Sequence, residues 1–216
     1  MRPEDWRPKG IEDLEPVAWE ALCHSGSACV VAGPGAGKTE FLAQKAAFLL
    51  ETGICAPPFR ILAISFKKDA AENLGTRVKR RCRTEQASRF DSFTFDAFTK
   101  GLVDRFKLAL PVNWRPLDRY DIPTINDRAY QEFLNNARDD SPTHQFAIAA
   151  IRASDFKNQL LATHKLSEAT PTTLEDHLAH LWFSQLLSQG KPDFLLLNRL
   201  AEWITRSTSS VKRAIR

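Results

Sequence analysis

One stretch constrains this chain more than any other: Ala32-Gly-Pro-Gly-Ala-Gly-Lys-Thr39, set between the apolar run Ala28-Cys-Val-Val-Ala32 and the amphipathic stretch Lys38 to Glu51. Gly33, Gly35 and Gly37 keep bulky side chains out of the loop. Successive backbone N–H groups can then turn inward toward phosphate oxygens, with the start of a helix adding positive potential behind them. Lys38 stands where it can reach β- and γ-phosphates, and the Thr39 hydroxyl where it can ligate Mg²⁺. The candidate nucleotide-binding residues are Ala32, Gly33, Pro34, Gly35, Ala36, Gly37, Lys38, Thr39 and Glu40, with Lys38 and Thr39 carrying the chemistry. Average residue usage would produce such a pattern in roughly one or two chains per hundred of this length. A strand before it and a helix after it make coincidence several-fold rarer.

The flanking pattern sets the fold class. Ala28–Ala32 reads as a buried strand, Arg60-Ile-Leu-Ala-Ile-Ser65 as a second and Phe90 to Phe93 as a third. Between and after them, Lys38 to Glu51, Lys68 to Cys82 and Phe95 to Phe106 repeat apolar residues at helical spacing. Strand alternating with helix predicts an α/β fold with a parallel sheet flanked by helices. From about residue 120 the alternation stops and helices follow one another. Thr172 with Glu175 suggests one capping box and Asp193 another cap, ahead of the stripe Leu196, Leu197, Leu200, Trp203 and Ile204. Pro111, Pro116 and Pro123 punctuate the change. The expected boundary therefore lies near 115, with domains at 1–115 and 116–216.

Composition is that of an ordinary globular chain, 43% hydrophobic and 26% charged, which excludes a disordered tail, a collagen-like repeat or a coiled-coil rod. No apolar run exceeds six residues, far from the about 20 that a bilayer span needs. Met-Arg-Pro-Glu-Asp-Trp is followed by no apolar stretch, and the four cysteines form no C-x-x-C pair. Together these predict no secretory signal, no membrane partner and a reducing, cytoplasmic setting. The net charge of +4 is unevenly placed. Residues 60–119 carry 14 basic and 7 acidic groups, whereas 120–216 carry 11 of each. Arg77, Lys79, Arg80, Arg81 and Arg83 form the densest run, readable either as a solvated helix end or as a polyanion site.

Two further segments choose among the many users of a phosphate loop. Arg60-Ile-Leu-Ala-Ile-Ser-Phe-Lys-Lys-Asp-Ala-Ala-Glu-Asn-Leu-Gly-Thr-Arg-Val78 resembles motif Ia of the UvrD/Rep-type superfamily 1 DNA helicases. Ser92-Phe-Thr-Phe-Asp-Ala-Phe98 resembles that family's Thr-Phe-His-Ser segment, and Gly190 to Ile204 resembles its helix before the Walker B strand. The order and spacing of the family are kept. The resemblance implies a RecA-like ATP-binding domain with an all-helical inserted subdomain, using ATP and Mg²⁺. It implies single-stranded DNA, or a single/double-strand junction, as partner, contacted by Ser65, Phe66, Lys67 and Lys68 and by Thr94, Phe95, Asp96 and Phe98. Stacking on aromatic faces with cations along the backbone is the physics such contacts need. The competing reading of Phe66 and Phe95 is core packing at a strand end.

The chain departs from the family in places. Ala18 stands where the family has an adenine-reading glutamine, Asp96 replaces a histidine, and Lys67-Lys68 replaces uncharged polar residues. No Asp-Glu pair is present to supply a Mg²⁺ carboxylate and a general base. The expectation is thus the front portion of a longer helicase, with a second RecA-like domain elsewhere and little turnover of its own. A non-motor phosphate-loop kinase and a nucleotide-binding module without turnover are the alternatives. His177 and His180 lack a third ligand at metal spacing, Trp6 and Trp19 read as packing residues, and the cysteines read as small apolar fillers, Cys29 above all.

Overall fold

Five of the six elements from Lys38 to Phe106 form where the periodicity predicts them, and the short helix Thr84–Ala87 is the one it does not predict. The computed structural model of the protein describes residues 1–163, 166 and 170–215. Its helices are α1 (Pro16–Cys23), α2 (Lys38–Glu51), α3 (Lys68–Arg81), α4 (Thr84–Ala87), α5 (Phe95–Phe106), α6 (Asp127–Asp139), α7 (Gln145–Ala149), α8 (Ala153–Ala162), α9 (Leu174–Ser188), α10 (Phe194–Ser207) and α11 (Ser209–Ile215). Strands β1 (Ile61–Ser65) and β2 (Phe90–Thr94) pair in parallel, Ile61 beside Phe90 and Ser65 beside Thr94. The chain divides into two compact units, 1–98 and 99–216, parting inside α5 and ahead of the proline-rich stretch near 115.

In the first unit, α2 and α3 lie on one sheet face. Ala43, Ala46, Leu50, Leu74 and Val78 make the core there, with Ile61, Ala63 and Phe90 packed against them. Strand period two sends Leu62 and Ile64 to the other, exposed face, and Phe93 joins them by register. A second cluster joins Trp6, Leu22, Ala47 and Phe48, with Trp19 at its margin. Trp6 meets Phe48 edge-on at 5.5 Å and donates its indole N–H to Glu51 at 2.8 Å, so it is a packing residue, as read from the sequence. Lys45 caps the carboxyl end of α1, donating to the Leu22 carbonyl at 2.5 Å and the His24 carbonyl at 2.7 Å. Burial pushes its ammonium pKa down.

The strand expected at 28–32 is absent: the segment belongs to no sheet, and Val31 is 90% exposed. A strand exists only through a neighbour that takes its N–H and C=O groups, and a five-residue apolar run does not carry that information. Cys29, expected as a buried filler, is consequently exposed, as is Cys23.

In the second unit every regular element among the described residues is helical. Tyr130, Phe133, Phe156 and Trp182 pack as one aromatic group, with Phe133 stacked on Phe156 at 5.3 Å. Asp193 caps α10, accepting from the Leu196 N–H at 2.8 Å, as expected. The cap of α9 is Thr173, accepting from the Asp176 N–H at 3.1 Å, one residue beyond the expected Thr172. Gly190, at φ +65°, follows α9, and a Cβ there would stand 3.0 Å from Leu117. No helix among the described residues is long and apolar enough to cross a membrane.

Candidate functional site

The glycine loop forms in part as the sequence predicts: the helix after it is present, and the strand before it is not. The Ala36 and Gly37 N–H groups donate to the Gly33 and Gly35 carbonyls at 3.3 Å and 2.8 Å. Gly35 and Gly37 adopt φ of +78° and +73°, a region that penalises any Cβ, and Gly37 leads directly into α2. No side chain caps that helix, so its first-turn N–H groups remain open to a ligand. A Cβ added at Gly33, Gly35 or Gly37 would meet nothing within 4 Å, so the cradle is open space. Gly33 through Lys38 are exposed, and Ala32, Thr39 and Glu40 are half-buried. Lys38 folds back over the loop and donates its Nζ to the carbonyls of Ala32 at 2.8 Å and Gly33 at 2.6 Å. The ammonium thus lies at the mouth, held by weak acceptors that an anion can replace. These residues fit a phosphate chain. The single Thr39 hydroxyl also suits Mg²⁺, which takes most of its ligands from water and phosphate.

Glu40, placed by sequence in the binding loop, turns its side chain away from it. Its carboxylate accepts from Arg77 at 2.5 Å, from Arg81 at 2.7 Å and from Gln44 at 2.7 Å. Burial by itself would raise the Glu40 pKa, but these donors and the Arg81 charge outweigh it and hold the pKa below the ordinary value. Gln44 is fully buried and clasps the Lys9 backbone, accepting at 3.0 Å and donating at 2.7 Å. One carboxylate thus joins the loop helix, α3 and, through Gln44, the N-terminal segment. Sequence reading missed this hub. Its only local signal is the i,i+4 spacing that puts Arg77 and Arg81 on one face of α3.

The other candidate residues lie at the carboxyl edge of the sheet. Register sets Ser65 beside Thr94, so the two segments leave neighbouring strands about 4.8 Å apart. Phe66 is 99% exposed, which overturns its reading as a core phenylalanine, and Phe95 is 45% exposed. Lys67 and Lys68 are exposed, Lys68 within 3.7 Å of Glu72. Ser65 donates its hydroxyl to the Lys67 carbonyl at 3.0 Å, and Thr94 accepts from the Ala97 N–H at 3.1 Å. Those hydroxyls shape the two turns, while Asp96 and Phe98 are half-buried beside them. In the other unit, His180 meets Trp114 edge-on at 5.1 Å. Among the described residues no group of three His, Cys, Asp or Glu side chains is set to hold a metal.

Comparison with known proteins agrees with the motif order. Residues 14–216 match the family model of the UvrD/REP helicase N-terminal domain. The chain is 35% identical over 191 residues to the ATP-dependent DNA helicase srs2 of Schizosaccharomyces pombe, covering 78% of this chain and 21% of that protein. It is 33% identical over 86 residues to DNA helicase IV of Escherichia coli, covering 40% and 12%, and 27% identical over 137 residues to PcrA of Staphylococcus aureus, covering 62% and 18%. The chain therefore spans about a fifth or less of these relatives. With the glycine loop, the two segments at the sheet edge and a match across nearly its whole length, this chain belongs to the UvrD/REP helicase family, through that family's N-terminal domain.

Proposed function

We propose that this chain is the ATP-binding, single-strand-contacting front portion of an ATP-dependent DNA helicase, in which ATP hydrolysis is coupled to translocation along DNA. The glycine loop and the first turn of α2 bind the phosphates, and the Lys38 ammonium moves from its carbonyl acceptors onto the nucleotide. Mg²⁺, when bound, neutralises phosphate charge, and Thr39 is the residue that would hold it. The first unit is the RecA-like part and the helices of the second are the inserted subdomain. With no Asp-Glu pair to polarise water and without the arginines of a second RecA-like domain, the 216 residues bind nucleotide with little turnover. The setting is cytoplasmic, in keeping with four free cysteines.

The observation that carries the DNA half of this reading is Phe66, an aromatic ring almost wholly in water beside two exposed lysines. Such a ring stacks on a base regardless of sequence, while the ammonium groups follow the backbone. Fluorescence anisotropy of labelled oligothymidylate tests it. Affinity should fall steeply with salt, and Phe66→Ala should cost about 1–3 kcal/mol of binding while leaving the melting temperature unchanged. A variant that binds as tightly as the parent, or melts well below it, would contradict the assignment.

A further inference from the structure

The basic run at the end of α3 does not act as one patch, because the structure divides it. Arg77 and Arg81 turn toward Glu40, whereas Lys79 and Arg80 are exposed and make no side-chain hydrogen bond or ion pair among the described residues. Between this helix end and the N-terminal segment opens a cavity of about 560 Å³, lined by Lys9, Asn73, Thr76, Arg77, Arg80 and Arg81 around Gly10. Four cations and two neutral polar side chains face it, and no carboxylate lines it. Glu40 stands behind Arg77 and Arg81, and Glu51 behind Lys9, so two of the four positive charges remain uncompensated. The Glu40 contacts orient the two guanidinium groups before any ligand arrives. Arg81 also keeps a buried Nε–H without a hydrogen-bond partner among the described residues.

We infer that this cavity is a second phosphate site, taking a backbone phosphate of the DNA strand at a point separate from the sheet edge. Lys79, next to the lining Arg80, continues the positive ridge outside the cavity, which suits an extended polyanion better than a small free anion. Lys68 and Arg80 stand twelve residues apart on α3, about 18 Å along its axis. The helix therefore carries one contact at each end, and the end away from the sheet edge is tied directly to the nucleotide loop through Glu40. The inference rests on the DNA-binding reading above but involves different residues.

Oligothymidylate of twenty nucleotides, titrated with the 216-residue chain between 0.05 M and 0.5 M salt, separates the two. Arg80→Ala should lower the slope of log affinity against log salt by about 0.7, the value for one single-strand phosphate contact, and weaken binding roughly tenfold at the lowest salt. Arg80→Glu should weaken it further, and neither exposed substitution should move the melting temperature. A slope unchanged in both variants overturns the inference, even where Phe66→Ala weakens binding and the edge site stands. The converse pattern keeps the cavity and removes the stacking contact. If the Arg80 variants instead lose affinity for a fluorescent ATP analogue with the DNA slope intact, the cavity serves the nucleotide and the DNA assignment falls. A wild-type chain that binds no oligothymidylate sinks both.

Discussion

Lys38 and Phe66 are the two residues on which the proposed nucleotide and DNA binding rest. The ammonium of Lys38 rests on two carbonyls of its own loop, and the Phe66 ring rests on nothing. Burying an aromatic ring is among the larger favourable terms in folding, and the fold forgoes it at Phe66. Cys82 illustrates the opposite environment. It packs partly against the α2–α3 core, and burial, with the Glu51 carboxylate next in effect, pushes its thiol up to about 11 from 9.0. The folded value lies above the unfolded one, so the stability from keeping this thiol neutral is complete below about pH 9 and is lost as pH rises through 11. Near pH 8 its thiolate fraction should be about a hundredfold lower than that of an unshifted thiol. Timed alkylation followed by mass spectrometry should therefore label the exposed Cys23 and Cys29 first and Cys82 last. Labelling of Cys82 as fast as Cys29 would contradict this environment.

At the scale of elements, the joint between α2 and α3 rests on the apolar pairs beneath them and on Glu40 above. Arg81 is only 12% exposed and Glu40 17%, so the pair lies between the exposed and fully buried cases. Glu40→Ala would leave two guanidinium groups without their shared acceptor, and should cost about 2 kcal/mol in urea denaturation. The folded Glu40 pKa lies below the ordinary value of 4.5, so this stability is present above about pH 4.5 and fades as pH falls through the folded value. Wild type and variant should accordingly converge on the acid side, and a gap that persists in acid would assign the loss to packing instead. The same elements show what was legible in the sequence. The five predicted helices and strands between Lys38 and Phe106 were readable to within a residue because 3.6- and 2-residue periodicities are local, whereas the four-residue α4 among them was not. The strand at 28–32 was not, because pairing is a property of two segments, and the Glu40 hub was not, because its partners are some 40 positions away. Phe66 was ambiguous for a related reason: an apolar residue at a strand end looks the same in sequence whether the fold covers it or not.

For the molecule as a whole, the first unit brings a glycine loop, an aromatic and cationic sheet edge, and a hub joining loop helix to α3 into one compact body. Fold and family membership follow from that body and from the match over residues 14–216. Coupling between nucleotide and strand is the central claim, and it depends first on nucleotide binding by the loop. Titration of a fluorescent ATP analogue in Mg²⁺ against the 216-residue chain and its Lys38→Ala variant tests this most directly. The account predicts saturable binding by the parent and none by the variant, because the ammonium now resting on Ala32 and Gly33 is the cation that meets the phosphates. Equal titration by the two proteins would contradict it.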